Sequence, residues 1–212
     1  MKQVLKICGL MRKEDILAVN SCLPEYIGFV FAESRRQIDE RQALEMKTLL
    51  NPEIRAVGVF VNESPDRICE LLDRKVIDLA QLHGKETEEE IRYIRHRTGK
   101  KVIKAVSVKN LSELMKWDTS EADCLLFDQG NGGSGKSCSW DVVREYLKIH
   151  AESGRQPKPF FLAGGIGMEN IREALTIPSY GIDLSSGAET NGQKDPELIR
   201  QLTQIVHNNM EV

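Results

Sequence analysis

Eight strand-like segments alternate with eight helix-like segments, and this alternation limits the fold more than any other feature of the chain. The strand-like segments are rich in Val, Ile, Leu and Phe, as strands buried on both faces should be. They read VLKIC, YIGFVFA, AVGVFV, LAQLHG, KVIKAVSV, CLLFD, PFFLAGG and GIDLSS. The helix-like segments read KEDILAVNSC, DERQALEMKTLL, PDRICELLDRK, TEEEIRYIRHRT, LSELMKW, SWDVVREYLKIH, MENIREAL and DPELIRQLTQIVHNN.

The number of units decides between two α/β architectures. Eight βα units within 212 residues predict a closed, single-domain (β/α)8 TIM barrel of small size. A doubly wound open sheet is the alternative, but the aligned glycines at the strand ends favour closure. Because no linker or low-complexity tract interrupts the pattern, we expect residues 1–212 to form one domain.

Composition excludes several classes of partner. The formal net charge is −3 and no basic stripe is present, which argues against binding to nucleic acid. No apolar run approaches the ~20 residues that span a bilayer, and the amino terminus does not resemble a signal peptide. The five cysteines form no CxxC pair, and the four histidines show no ligand spacing. We therefore predict a cytoplasmic protein with free thiols and no metal.

Two reactive side chains stand where a barrel places its chemistry. Catalytic groups of such barrels lie at the carboxyl ends of the strands. Cys8 ends VLKIC and Asp128 ends CLLFD, so a thiol and a carboxylate should face one mouth as a candidate base and acid. The structural alternatives are a small core cysteine at position 8 and a loop-capping aspartate at position 128.

Glycine and serine follow the last two strands, where barrel enzymes often hold a substrate phosphate. Glycines let the backbone approach a ligand, and exposed N–H groups bind anions. The glycines could instead serve only to make tight turns. The sequence favours a phosphorylated small molecule bound by Gly164, Gly165, Ser185, Ser186 and Gly187.

A nucleotide-binding pattern also occurs. Residues 130–137 read GNGGSGKS, which satisfies the P-loop pattern with Lys136 and Ser137. The pattern follows the sixth strand rather than the first, and Asp128 would lie near the nucleotide phosphates. A P-loop-like nucleotide-binding protein is therefore the weaker alternative.

Seven segments in order carry a resemblance that covers the whole chain. They are KICGL (6–10), GFVFAESRR (28–36), VGVFVN (57–62), QLHG (81–84), LLFDQGNGGSGKSCSWD (125–141), LAGGI (162–166) and DLSSGAETNGQKD (183–195). In these segments the chain resembles the phosphoribosylanthranilate isomerase family of tryptophan biosynthesis. The resemblance implies an Amadori rearrangement of N-(5-phosphoribosyl)anthranilate by general acid and base catalysis, without a cofactor, in a monomer or homodimer.

The resemblance also assigns roles to residues. Cys8 corresponds to the family's general base, Asp128 to its general acid, and Arg36 to the arginine of its S-P-R motif, expected to bind the substrate. Four positions depart from the family pattern: Arg35 replaces the proline of that motif, Ser134 replaces a threonine, and Leu184 and Ala188 replace valines. Arg35 in place of proline is expected to loosen the loop that presents Arg36.

Chemistry sets expectations for the two ionisable groups. As an acid, Asp128 should have its pKa raised by its apolar strand, and as a base Cys8 should have its pKa lowered by Lys6. We expect Lys6 to pair with Asp183 below the site, because strand one closes beside strand eight. His83 receives no catalytic role.

Two further alternatives remain at this point. A related aminoaldose isomerase of histidine biosynthesis would be expected to carry an aspartate where this chain has Cys8. A barrel that only binds phosphosugars is disfavoured by the presence of both Cys8 and Asp128.

Overall fold

The computed structural model describes residues 3–130 and 140–208. Its centre is a closed parallel barrel in which the strands neighbour one another in chain order and β1 pairs with β8. The predicted (β/α)8 barrel is confirmed, and the open doubly wound sheet is excluded by that last pairing. The barrel strands are β1 Val4–Cys8, β2 Tyr26–Val30, β3 Arg55–Phe60, β4 Leu79–Leu82, β5 Val102–Ser107, β6 Cys124–Asp128, β7 Phe160–Ala163 and β8 Gly181–Leu184.

Helices surround the barrel, and their buried faces form the main core against the outer faces of the strands. A second apolar cluster fills the barrel interior beneath the mouth, with Val57, Leu79, Ile103, Leu126 and Phe161 among its members. The helices are α1 Lys13–Cys22, α2 Glu40–Leu49, α3 Pro65–Asp73, α4 Glu88–Thr98, α5 Leu111–Trp117, α6 Asp141–Ser153, α7 Ile171–Ala174 and α8 Pro196–Asn208. None of the helices in the described part of the chain has the length and apolarity that crossing a bilayer requires.

Helix α7 is shorter than its sequence pattern. The segment MENIREAL predicts a helix over residues 168–175, but α7 covers only Ile171–Ala174. The Asn170 side chain accepts a hydrogen bond from Gly167 N and donates one to Gly165 O, which stabilises a turn before the helix. Such local side-chain bonds compete with helix formation.

A short hairpin follows β8. Strands β9 (Glu189–Thr190) and β10 (Gln193–Lys194) pair antiparallel around Asn191 and Gly192, which have φ angles of 52° and 78°. Asn-Gly is a strong signal for a two-residue hairpin turn, because both residues tolerate positive φ. The hairpin places Glu189 against Arg35 and Arg36 of the loop after β2.

A buried ion pair holds the loops after β3 and β4. Lys104 Nζ lies 2.7 Å from Glu86 Oε2, and both side chains are almost fully buried. Lys104 also donates to Gly84 O, while Glu86 accepts hydrogen bonds from the backbone N–H groups of Asn62 and Gly84. Burial raises the pKa of Glu86, but these bonds outweigh it and leave the pKa below its ordinary value.

Replacing Lys104 with methionine should lower the free energy of unfolding by about 3–5 kcal/mol, because Glu86 would stay buried without a counter-ion. Urea unfolding measures the change. The matched control is Lys148→Met, which removes an exposed lysine paired with Glu152 on α6 and should cost less than about 0.5 kcal/mol. Equal losses in the two variants would show that the buried pair contributes nothing special.

Candidate active site

The carboxyl ends of the strands surround a cavity of about 560 Å³. Cys8 and Asp128 both line it, although 119 residues separate them in the chain; they meet because each ends a strand of the same barrel. Arg36 and His83 also face the cavity. Of the predicted phosphate ligands, the cavity wall includes Gly164, Gly165, Ser185 and Ser186.

Cys8 lies at the end of β1 with its side chain turned toward the barrel axis. It pairs in register with Gly28 of β2, and a Cβ atom on Gly28 would lie 2.7 Å from Cys8 Sγ. Real carbon atoms do not come so close, so the thiol occupies space that only glycine leaves open. The absence of a side chain at Gly28 therefore provides the space that the sulfur occupies.

The predicted Lys6–Asp183 pair is present below Cys8. Lys6 Nζ lies 2.8 Å from Asp183 Oδ1, and the lysine is fully buried. Burial lowers the pKa of Lys6, but Asp183 and Cys8 outweigh it and raise that pKa above its ordinary value. Lys6 is thus an ammonium that donates a hydrogen bond to Asp183, and its charge acts on the nearby thiol of Cys8.

The expected lowering of the Cys8 pKa is wrong for the free protein. Burial raises the pKa of the thiol, and the nearby charges of Lys6 and Lys194 offset this only in part. The sequence revealed Lys6 but not how completely Cys8 (8% exposed) is removed from water. The resting group is a neutral thiol beside an ammonium.

Asp128 at the end of β6 contacts a residue to which the sequence gave no role. His83 Nε2 lies 3.0 Å from Asp128 Oδ2, while Oδ1 accepts a hydrogen bond from Gly130 N. A Cβ atom on Gly164 would lie 2.8 Å from Oδ1, so glycine is needed there. The carboxylate is held between β4 and β7.

The expected raising of the Asp128 pKa is also wrong for the free protein. Burial does raise it, but the hydrogen bonds from His83 and Gly130 outweigh burial and lower the pKa. The sequence prediction counted the apolar neighbours along the strand. Leu125 and Phe127 point outward into the main core, so they do not surround the carboxylate.

Arg36 is at the mouth, but a carboxylate already binds it. Its Nε and Nη2 atoms donate to Glu189 Oε1 and Oε2 at 2.7 and 3.0 Å. Glu189 also accepts hydrogen bonds from Arg35 and Lys194. Burial raises the Glu189 pKa, but Arg36 and Lys194 outweigh it, so the pKa is lowered and the carboxylate stays charged.

The carbon chain of Arg36 lies directly on the backbone after Cys8. A Cβ atom on Gly9 would be 2.4 Å from Arg36 Cδ. Gly9 also has a φ of 84°, which favours glycine. Despite the loss of proline at position 35, the loop after β2 presents Arg36 next to the thiol.

The glycine-rich ends of β7 and β8 differ in detail. Gly164 and Gly165 have positive φ angles of 92° and 68° and line the cavity beside Ser185 and Ser186. Gly187 does not line this cavity. A Cβ atom on Gly187 would lie 1.9 Å from Ile166 O, so this glycine lets the β8 loop pack on the β7 loop.

Comparison with known proteins identifies the family. A family model described as N-(5'-phosphoribosyl)anthranilate (PRA) isomerase matches residues 5–205. The chain belongs to the PRA isomerase family. The resemblance found in the sequence is therefore confirmed.

Three members illustrate the likeness. The PRA isomerase of Endomicrobium trichonymphae is 44% identical over 207 residues, covering 95% of this chain and 97% of the relative. A PRA isomerase solved with reduced 1-(o-carboxyphenylamino)-1-deoxyribulose 5-phosphate matches with a TM-score of 0.82 at 30% identity, covering 97% of this chain and 99% of that chain. Monomers generated from the dimeric PRA isomerase of Thermotoga maritima match with a TM-score of 0.80 at 29% identity, covering 98% and 100%.

Sequence reasoning missed two partners at this PRA isomerase site, His83 and Glu189. The signal for His83 was its place at a strand end, which it shares with Cys8 and Asp128. The signal for Glu189 was the Asn-Gly turn, because a hairpin there pairs residue 189 with Lys194. Neither signal specifies the side-chain contact itself.

Proposed function

We propose that the chain catalyses the Amadori rearrangement of N-(5-phosphoribosyl)anthranilate to 1-(o-carboxyphenylamino)-1-deoxyribulose 5-phosphate, a step of tryptophan biosynthesis. The observation that carries the assignment of roles is the presence of Cys8 and Asp128 in one cavity. Asp128 is the general acid and Cys8 is the general base. Membership of the PRA isomerase family supports the reaction.

The acid acts first. Asp128 donates a proton to the ring oxygen of the furanose, the bond from C1' to that oxygen breaks, and the anilino nitrogen forms a C=N bond to C1'. Gly164 leaves Asp128 open to the cavity on the β7 side, while His83 holds the carboxyl from β4.

The base acts second. The thiolate of Cys8 removes the proton from C2', the electron pair moves through C1' to nitrogen, and the resulting enol-amine becomes the ketone. The charge of the nearby Lys6 lowers the pKa of the thiol and supplies the positive charge that a buried thiolate needs. The reaction is an isomerisation, so this sequence of steps requires neither a nicotinamide nor a metal.

The free protein holds its protons in the opposite arrangement. The pKa of Cys8 is raised and that of Asp128 is lowered, so the resting site contains a thiol and a carboxylate. The reactive form needs one proton moved from the sulfur to the carboxyl. Since both forms carry the same number of protons, their ratio does not change with pH.

The cavity has two unlike ends that match the two ends of the substrate. Gly164, Gly165, Ser185 and Ser186, with Gly187 behind them, are proposed to bind the phosphate. Arg36 is proposed to meet the anthranilate carboxylate through N–H groups beyond those that Glu189 engages. The apolar wall near Arg36, which suits the aromatic ring, consists of Val30, Ala32, Val59 and Val61.

The remaining proposals concern partners and organisation. We propose a small phosphorylated substrate, no nucleic-acid or membrane partner, and no cofactor. A monomer or a homodimer is expected, since a related isomerase has been described in both forms. Closure of the barrel between β1 and β8 supports a single domain over residues 1–212. Cys8, Cys22, Cys69 and Cys124 are free, which fits a cytoplasmic location.

The nucleotide-binding alternative gains no support. Most of its pattern, residues 131–137 with Ser134 among them, lies outside the described residues. The cysteine at position 138 lies outside them as well. The family match includes this segment within an isomerase. The histidine-pathway isomerase is disfavoured by Cys8.

A direct assay tests the proposal. Purified wild-type protein should convert N-(5-phosphoribosyl)anthranilate to the aminoketose without added metal or nucleotide, and its gene should rescue a tryptophan auxotroph that lacks this step. Binding of the phosphosugar without conversion would instead identify a non-catalytic barrel. Turnover that required Mg-ATP would revive the nucleotide-binding alternative.

A further inference from the structure

Gln81 is a buried polar residue beneath His83. It lies two residues before His83 on β4, faces the barrel interior with Leu79, and is only 1% exposed. Its Nε2 atom lies 3.1 Å from His83 Nδ1. Its Oε1 atom is buried and has no hydrogen-bond partner within the described residues. Buried polar atoms without partners are rare and often have a functional reason.

The two contacts of His83 together specify a tautomer. An amide nitrogen only donates, so Nδ1 must accept from Gln81 and carry no proton. The proton of the neutral ring then lies on Nε2, which donates to Asp128 Oδ2. An imidazole that donates to a carboxylate stabilises the ionised form of that carboxylate.

We propose that Gln81 is a positioning residue that sets which nitrogen of His83 carries the proton. It thereby controls whether Asp128 is ionised or is protonated and able to act as an acid. The inference rests on the proposed role of Asp128. It adds a residue that touches neither the substrate nor the reacting atoms.

A flipped Gln81 amide would reverse which nitrogen of His83 carries the proton. With Oε1 facing the ring, Nδ1–H would donate to it, and Nε2 would be left to accept a hydrogen bond from a protonated Asp128 carboxyl. That arrangement is the one in which Asp128 can protonate the substrate. The amide orientation is therefore coupled to the protonation of Asp128.

Other charges act on this pair, and the test must keep them constant. Lys6 and Cys8 approach from β1, and Asp183 approaches from β8; Lys6 and Asp183 interact electrostatically with Asp128 or His83. Nearby, Lys104 of β5 pairs with Glu86 of the loop after β4. Changes at Gln81 leave all five groups in place.

The decisive experiment is ¹⁵N NMR of the full-length protein with labelled histidine. The resonances of His83 are assigned by their loss in a His83→Asn variant. In the wild type, Nδ1 should resonate as an unprotonated nitrogen and Nε2 as a protonated one. A wild-type ring protonated on Nδ1 alone would overturn the proposal whatever the activity.

Two variants test control rather than mere contact. Gln81→Met has a similar volume and no hydrogen bond, so both tautomers should become populated and kcat should fall about tenfold with little change in KM. Gln81→Glu accepts only from Nδ1–H, so Nε2 should accept a hydrogen bond from a protonated Asp128. The acid limb of kcat/KM, which reports Asp128, should then move up by about one pH unit. An unchanged tautomer in Gln81→Met, or an unmoved acid limb in folded Gln81→Glu, would contradict the proposal.

A second buried substitution serves as the control, because it separates the specific effect of Gln81 from the general effect of losing a buried polar group. Thr203→Val on α8 removes a buried hydroxyl that donates to Ile199 O, remote from the cavity. It should alter thermal stability but neither the His83 spectrum nor the pH profile. Failure of the acid role itself would look different: Asp128→Asn would then stay active while the wild-type tautomer remained as expected.

Discussion

Replacing Asp128 with asparagine should lower kcat by about 10²- to 10⁴-fold, the usual contribution of a general acid. Asparagine has nearly the same shape, so it should keep the close packing against Gly164 and a hydrogen bond to His83. It cannot carry a transferable proton to the furanose oxygen. Steady-state turnover of N-(5-phosphoribosyl)anthranilate measures the loss, and circular dichroism should show an intact fold.

The matched control is Asp123→Asn, at the position just before the same strand. Asp123 pairs with Arg95 and accepts from Val102 N, on the side of the barrel away from the mouth. The same chemical change there should leave kcat within about twofold, even if stability falls. If Asp128→Asn were as active as Asp123→Asn, Asp128 would have no place in the mechanism.

Replacing Cys8 with alanine should reduce kcat by a similar factor of about 10² to 10⁴, because no other group is proposed to take the C2' proton. Cys69→Ala is the control, since Cys69 is a buried cysteine of α3 outside the cavity. Turnover of the two variants is compared under identical conditions. Cys8→Ser should resemble alanine, because a hydroxyl does not ionise in this range.

The pH profile of the wild type follows from the same pair. The resting and reactive forms contain equal numbers of protons, so kcat/KM should be level through neutrality. It should fall when pH drops through the lowered pKa of Asp128 and when pH rises through the raised pKa of Cys8. A profile that rises steadily with pH through neutrality would instead mean that thiolate formation alone limits the reaction.

Much of the fold could be read from the sequence because it depends on periodicity. Buried parallel strands need continuous apolar runs, and eight such runs with helices between them leave few topologies. The Lys6–Asp183 pair followed from the two-residue period of strands and from closure of the barrel. The meeting of Cys8 and Asp128 followed from the rule that strands of one barrel end at one mouth.

The rest depends on side-chain rotamers, which sequence pattern does not specify. The His83–Asp128 contact needs a particular ring orientation, and the hold of Glu189 on Arg36 needs the hairpin to pack on the loop after β2. The pKa directions failed for the same reason. Local hydrogen bonds outweighed burial at Asp128, whereas burial outweighed the charge of Lys6 at Cys8.

The pairing of β1 with β8, which closes the barrel, affects when the protein becomes active during its synthesis. The thiol stands near the beginning of the chain, but its charged neighbours Asp183 and Lys194 are translated near the end. A ribosome-bound chain that lacks these residues holds Lys6 without its counter-ion and cannot complete the ring. The nascent polypeptide should therefore stay catalytically silent until its last strand emerges, and chemical competence should appear in one late step.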